Sequence, residues 1–128
     1  MTVSMVDSSI LVVDDDSDIT WFFQKILERE GYSVETAARG KQALELAHSN
    51  RFDLAILDIM LPDIRGDQLA VELNKIIDRL KIIFVSGYPQ VLEEGDQSDL
   101  NILKVMEKPV LHSQLIDTIK NALLVVNR

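Results

Sequence analysis

The chain has 128 residues, 47% of them hydrophobic and 27% charged, which suits a single globular domain over residues 1–128 with its core at about 9–126. Its net charge of −8 and the lack of a basic stripe argue against nucleic-acid binding, and no apolar run approaches the roughly 20 residues that span a bilayer. The sequence has no cysteine and no signal-peptide pattern at its start, so we expect a cytoplasmic protein without disulfides or thiolate metal sites.

Short apolar runs typical of β-strands alternate with segments of helical period along the chain. The first run, Ile10 to Val13, is continuous and rich in β-branched residues, as in strands that are buried on both faces of a sheet. Similar runs predict four further strands, at Tyr32 to Ala37, Asp53 to Leu57, Lys81 to Val85 and Ile102 to Met106.

Four of the intervening segments place their apolar residues on one stripe, which predicts amphipathic helices. These helices lie at about Ser17 to Glu30, Lys41 to Ser49, Gly66 to Arg79 and His112 to Val126. The stripe of the first helix consists of Ile19, Phe22, Phe23, Ile26 and Leu27. The stretch from Pro89 to Asn101 is expected to hold a short or mobile helix, because Gly95 interrupts it and acidic residues crowd it. Five β/α repeats of this kind predict a parallel sheet with helices on both faces.

Polar side chains follow four of the five predicted strands, at the edge where such sheets bind ligands. They are Asp14, Asp15 and Asp16 after the first strand, Asp58 after the third, Ser86 after the fourth, and Lys108 with Pro109 after the fifth. Each residue alone also fits a turn, a helix cap or a solvated loop. Several neighbouring carboxylates stay ionised together around a cation, and Mg²⁺ binds carboxylates together with phosphate oxygens. A carboxylate beside Mg²⁺ can accept a phosphoryl group, whose charge an ammonium and a hydroxyl stabilise.

The motifs that carry these residues closely resemble the response-regulator receiver family of two-component signalling, over about Ser9 to Val126. ILVVDDDSDI is similar to the family's first strand and acidic pair, and DLAILDIMLPDIRG to its phosphoacceptor strand and the following loop. IIFVSGYP is similar to the fourth strand, and VMEKPV to the fifth strand with its Lys-Pro. The resemblance implies a flavodoxin-like α/β fold, a doubly wound five-stranded parallel sheet with strand order 2-1-3-4-5.

The resemblance also implies which groups handle the phosphate and the metal ion. Asp58 would accept a phosphoryl group from the phosphohistidine of a histidine kinase or a histidine phosphotransfer protein. Asp15, Asp58 and the backbone carbonyl of Met60 would bind Mg²⁺ directly, and Asp14 would orient a metal-bound water. Lys108 would bridge the phosphate and Asp14.

Further along the same motifs, Ser86 would donate a hydrogen bond to a phosphate oxygen, and the peptide bond before Pro109 would be cis. A receiver of this kind is a signal carrier rather than a conventional enzyme, because it catalyses only its own phosphorylation and slow dephosphorylation. We expect no membrane or nucleic-acid partner for this domain and at most a weak homodimer.

Two positions leave open how phosphorylation would change the structure and where a partner would dock. Val105 stands where many receivers have Tyr or Phe, which puts the switch based on a turning aromatic ring in doubt. Trp21 lies off the apolar stripe of the first helix, where it fits either docking of a phosphotransfer partner or packing against the last helix. The SGYP motif and the irregular stretch after it are more similar to stand-alone receivers, or to those of hybrid histidine kinases, than to those of DNA-binding regulators.

Three other classes of protein fit the sequence less well. A pseudo-receiver scaffold that signals without phosphate would be favoured if the acid pair, Asp58 or Lys108 were missing. An Asp-dependent phosphatase usually has a second Asp two residues after the nucleophile, where this chain has Met60. A flavin- or nucleotide-binding domain needs a Gly- or hydroxyl-rich loop after the first strand, where this chain has three carboxylates.

Overall fold

The computed structural model describes residues 2–4, 8–88 and 100–127. The strands are β1 (Thr2–Ser4), β2 (Ser9–Val13), β3 (Ser33–Ala37), β4 (Leu54–Asp58), β5 (Lys81–Ser86), β6 (Asn101–Glu107) and β7 (Val125–Asn127). The helices are α1 (Ser17–Arg29), α2 (Gly40–Ser49), α3 (Gly66–Ile76) and α4 (His112–Leu123). No helix among these described residues is long and apolar enough to cross a membrane.

Strands β2 to β6 form one parallel sheet in the order β3-β2-β4-β5-β6. Counted along this sheet alone, the order is 2-1-3-4-5, so the predicted topology is confirmed. The central strand β4 is buried at all five positions, which is why its sequence is an unbroken apolar run up to Asp58. Because β2 and β4 are parallel neighbours, their carboxyl ends lie at the same edge of the sheet. Asp14 and Asp15 follow β2 at this edge, and Asp58 ends β4 there.

Two apolar layers lie on the two faces of the sheet, because successive side chains of a strand point to opposite faces. On one face, Leu11, Leu57 and Phe84 pack with buried residues of α2 and α3. On the other, Val12 and Ile56 pack with buried residues of α1 and α4. Each fully buried aliphatic or aromatic side chain stabilises the fold by roughly 1.5–3 kcal/mol relative to an exposed one, so both layers hold the sheet edge in place.

Several predicted boundaries and orientations are wrong. The third helix ends at Ile76 rather than Arg79, because Ile77 is extended and Arg79 has a φ of 61° in the left-handed region. The last helix ends at Leu123, and the β-branched pair within Val125–Asn127 forms β7, which pairs antiparallel with β1. Phe22, assigned to the inner stripe of α1, is 38% exposed. The helix predicted at Pro89 to Asn101 falls almost wholly on residues 89–99, outside the described ranges, and Asn101 itself begins β6.

The loop between β4 and α3 is packed closely against the end of β4. The amide of Gly66 donates to the carbonyl of Ile59 at 2.7 Å. A Cβ on Gly66 would collide with the carbonyl oxygen of Asp58 and would lie 2.7 Å from the Cα of Ile59. Both obstacles are backbone atoms, so they cannot be relieved by a change of rotamer.

We expect Gly66→Ala to lower the free energy of unfolding by about 1–3 kcal/mol, the usual cost of overpacking, as measured by urea denaturation. Gly87→Ala is the matched control, because a Cβ at Gly87 would meet nothing within 4 Å. Equal stability of the Gly66 and Gly87 variants would contradict this description of the loop.

Candidate functional site

The polar residues predicted at the strand ends meet at the carboxyl edge of the sheet. Asp14 follows β2, Asp58 and Ser86 are the last residues of β4 and β5, and Lys108 follows β6. Asp14, Asp58 and Ser86 are the buried polar residues among those that the structure describes. Because burying a polar group without a partner is costly, three such groups at one edge mark this edge as a functional site.

The acids form a compact cluster. Carboxylate oxygens of Asp14, Asp15 and Asp58 all lie within 4.8 Å of one another. The carboxylate of Asp14 accepts from the amide of Asp16 at 2.9 Å, and that of Asp58 accepts from the amide of Met60 at 3.3 Å. Asp16 is instead the N-cap of α1, since its carboxylate accepts from the amide of Asp18 at 2.9 Å. Of the three acids after β2, only Asp14 and Asp15 therefore belong to the cluster.

Lys108 joins the two buried acids. Its Nζ lies 2.8 Å from an oxygen of Asp14 and 3.5 Å from an oxygen of Asp58. The backbone fixes the base of this side chain, because the amide of Lys108 donates to the carbonyl of Ser86 at 2.9 Å. The peptide bond between Lys108 and Pro109 is cis, as predicted.

Burial and charge act together on the pKa values here. Burial, and next the negative charge of Asp14, raise the pKa of Asp58, while Lys108 and the Met60 amide oppose the shift. Burial works against the charged form of Lys108, but its hydrogen bond with Asp14 and the charges of Asp14 and Asp58 outweigh that effect and raise its pKa. Lys108 is therefore held as an ammonium ion between the two aspartates at neutral pH.

Ser86 is fully buried, and its hydroxyl oxygen accepts from the amide of Tyr88 at 2.9 Å. The hydroxyl proton remains available for a second partner, since a serine hydroxyl can accept and donate at once. Ser86 lies one residue beyond Val85, the residue that pairs with Asp58 across β4 and β5. The register thus places the backbone of Ser86 one residue past the end of β4, at the same edge of the sheet as Asp58.

The donor set suits a hard divalent cation. Three carboxylates face one ammonium, so the cluster carries excess negative charge, and its oxygen atoms lie close enough together to share one ion. Mg²⁺ accepts such oxygen ligands, and Asp15, which is exposed, leaves one side of the cluster open to water or a phosphate.

An apolar groove beside Lys108 was not predicted from the sequence. It has a volume of about 440 Å³ and is lined by Asp18, Ile19, Phe22, Phe23, Lys108, Pro109 and Val110. Trp21 on the same helix is 61% exposed, which does not fit burial against the last helix. The signal in the sequence was the run Trp21-Phe22-Phe23, since three consecutive aromatic residues cannot all lie on one stripe of a helix.

The raised pKa of Asp58 predicts that its ionised carboxylate destabilises the fold. The native state holds the Asp58 proton more tightly than the unfolded chain does. The loss of folding stability caused by the ionised carboxylate is therefore absent well below the usual pKa of 3.8 and fully present above the raised pKa. Asp58→Asn should then raise the free energy of unfolding at pH 7 by roughly 1 kcal/mol, a common size for one substitution.

Urea unfolding at a series of pH values, without divalent ions, would measure this effect. The gain of the Asp58→Asn variant should shrink as the pH falls through the raised pKa, and Asp15→Asn, at an exposed position, should gain less. A loss of stability in Asp58→Asn at pH 7 would contradict the prediction.

Comparison with known proteins agrees with this geometry. The family model for the response regulator receiver domain matches residues 10–120, a range that contains the acid cluster, Ser86 and Lys108. The chain is 33% identical over 115 residues to the response regulator receiver protein CpdR of Brucella abortus, which covers 90% of this chain and 96% of that protein. It is 28% identical over 119 residues to the sporulation initiation phosphotransferase F of Bacillus subtilis, with 93% and 96% covered.

Among solved structures, the chain is similar to the response regulator TrrA of Thermotoga maritima in complex with Mg²⁺ and BeF. That likeness has a TM-score of 0.78 and 34% sequence identity, and it covers 91% of this chain and 99% of the other. The chain therefore belongs to the response regulator receiver family.

Proposed function

We propose that this receiver domain carries its signal as a phosphoryl group on Asp58, taken from the phosphohistidine of a histidine kinase or phosphotransfer protein. The observation that carries the proposal is the position of the Asp58 carboxylate. It is buried at the edge of the sheet, within 4.8 Å of Asp14 and Asp15 and 3.5 Å from the ammonium of Lys108.

In the proposed transfer, an oxygen of Asp58 forms a bond to phosphorus while the bond between phosphorus and the donor imidazole breaks. The imidazole nitrogen leaves with the electron pair of that bond. Negative charge spreads over the phosphoryl oxygens, and positioned cations and donors stabilise it. Lys108 would supply the ammonium and Ser86 the hydroxyl donor. Ser86 ends β5, the strand beside β4, and Lys108 follows β6, the next strand of the sheet.

Residues of the acid cluster and its neighbouring loop would bind the Mg²⁺ that this transfer requires. Asp15, Asp58 and the backbone carbonyl of Met60 would hold Mg²⁺, and Asp14 would hold one of its waters. When bound, the ion supplies positive charge that lets anionic donor and anionic acceptor approach each other. The complex of TrrA with Mg²⁺ and BeF supports this assignment for a relative that is 34% identical.

Receiver domains are signalling modules, and we propose that this chain is a signal carrier rather than a conventional enzyme. The pseudo-receiver alternative, a scaffold that needs no phosphate, gains no support from the site. Such a scaffold has no need for two buried aspartates, an exposed third and a lysine joining them, yet all four are present.

The surface around the groove beside Lys108 supports docking of the phosphohistidine partner on α1. Phe22 lines the groove together with Pro109 and Lys108, and Trp21, the neighbouring residue of α1, is 61% exposed. Exposed aromatic residues next to a groove are common anchors of protein interfaces. A partner helix in this place would bring its phosphohistidine to the open side of the acid cluster.

Phosphorylation can be tested with a small donor. With Mg²⁺ and acetyl phosphate, the intact mass should rise by one phosphoryl group, and Asp58→Asn should abolish the gain because the accepting carboxylate is lost. Asp53→Asn, at the amino end of β4, is the control and should be phosphorylated normally. A mass gain that survives in the Asp58 variant would place the acceptor elsewhere.

Docking can be separated from the chemistry by changing the donor. Trp21→Ala should slow transfer from a phosphorylated histidine phosphotransfer protein by roughly fivefold or more, the effect of losing an aromatic anchor. Phosphorylation by acetyl phosphate, which needs no docking surface, should keep its rate in rapid-mixing assays. Val71→Ala, at a 40% exposed apolar position on α3, is the matched control. Equal slowing with both donors would contradict a docking role for Trp21.

A further inference from the structure

The N-terminus of α2 is capped by a residue from a distant part of the chain. Arg39, the local N-cap residue, makes no hydrogen bond through its side chain. The carboxylate of Asp63 accepts instead from the amide of Gly40 at 2.9 Å and from the amide of Lys41 at 3.0 Å. These amides belong to the first turn of the helix, where donors have no partner within the helix. Hydrogen bonds from Lys41 and Gly40 lower the pKa of Asp63, so the cap is anionic at neutral pH.

Asp63 belongs to the loop of residues 59–65 that joins Asp58 to α3. Met60 and Arg65 form an antiparallel bridge across this loop, and the amide of Gly66 closes its base on the carbonyl of Ile59 at 2.7 Å. The loop is therefore a closed unit whose backbone is pinned at both ends. The amide of Met60 within it donates to the carboxylate of Asp58 at 3.3 Å.

A second contact joins the same loop to the same helix. The side chain of Ile64 lies so close to Gly40 that a Cβ at Gly40 would collide with it. Gly40 is buried, and Ile64 is packed against the apolar layer formed by α2 and α3. The loop thus sits on α2 through a charged cap on one side and an apolar contact on the other.

We infer that Asp63 is a positioning residue, which ties the loop of residues 59–65 to α2 and thereby sets the placement of Met60 against Asp58 and the affinity of the site for a divalent cation. Where it concerns the cation, this inference rests on the proposed function, which assigns the Met60 carbonyl to Mg²⁺. The physical reason is that Asp58 and the Asp63 cap are linked by only a few residues of closed loop. Releasing the cap leaves the apolar contact of Ile64 with Gly40 as the remaining described contact between the loop and α2.

Titration of the isotope-labelled full chain with Mg²⁺, followed by amide NMR signals, tests the inference. Asp63→Ala should weaken Mg²⁺ binding by roughly tenfold, the lower end of the range for groups that orient a metal ligand. The amide signal of Met60 should also shift in the metal-free protein. Asp53→Ala is the matched control, since Asp53 also accepts from a backbone amide, that of Ser9 at 2.8 Å, at the opposite end of the sheet.

A double variant separates positioning from stability. Arg39→Ser with Asp63→Ala gives α2 a cap of its own, because serine at the N-cap accepts from the first-turn amides. The double variant should regain stability toward urea, yet its Mg²⁺ affinity should stay low, since the hydrogen bonds from the helix to Asp63 are still missing. Recovery of both together would overturn the inference and leave Asp63 with a structural role alone.

The remaining outcomes distinguish this inference from the proposed function. If the parent chain binds Mg²⁺ and Asp63→Ala binds it equally well, the inference is wrong and the proposed site stands. If the parent chain itself shows no change with Mg²⁺, the proposed metal site fails and the inference fails with it.

Discussion

Two aspartates, Asp14 and Asp58, are buried side by side, and the ammonium group of Lys108 makes that arrangement tenable. Their carboxylates repel each other and lose hydration, which is expensive in a protein interior. The Nζ of Lys108 lies 2.8 Å from an oxygen of Asp14 and 3.5 Å from an oxygen of Asp58, and its attraction to both offsets part of this repulsion and lost hydration. It does not neutralise the cluster, because Asp15 adds a third carboxylate. The site thus carries unbalanced negative charge, which favours the binding of a divalent cation.

The parallel sheet explains why these groups meet although they are far apart in sequence. The chemical groups stand at the ends of four different strands, so the hydrogen-bonded register between strands fixes their distances. The strands themselves are held by apolar layers on both faces, and the Lys108 amide is tied to Ser86 on the neighbouring strand. Rigid supports of this kind keep reacting groups in place without a cost at the moment of reaction.

Much of this arrangement could be predicted from residue patterns, and the failures have physical causes. The acid pair, Asp58, Ser86 and Lys108 could be located because they come at the ends of predicted strands, although the strand order came from the resemblance to a family. Phe22 was wrongly assigned to the buried stripe of α1. The helical pattern tells which side of the helix faces the core, but it does not show that a groove leaves Phe22 partly exposed. The last helix was drawn too long because Val125 continues an apolar run in which strand and helix are hard to tell apart. The contact of Asp63 with Gly40 and Lys41 joins residues more than twenty positions apart, and no local pattern encodes it.

We propose that the phosphoryl group binds to the Asp58 carboxylate, beside Lys108 and Ser86. A crystal structure of this chain grown with Mg²⁺ and beryllofluoride, an analogue of the phosphoryl group, tests it most directly. We expect beryllium bonded to a carboxylate oxygen of Asp58, with the fluorines contacted by Lys108 Nζ and Ser86 Oγ and the metal held by Asp15. Beryllofluoride bound to another carboxylate, with the contact between Lys108 and Asp58 unchanged, would contradict it.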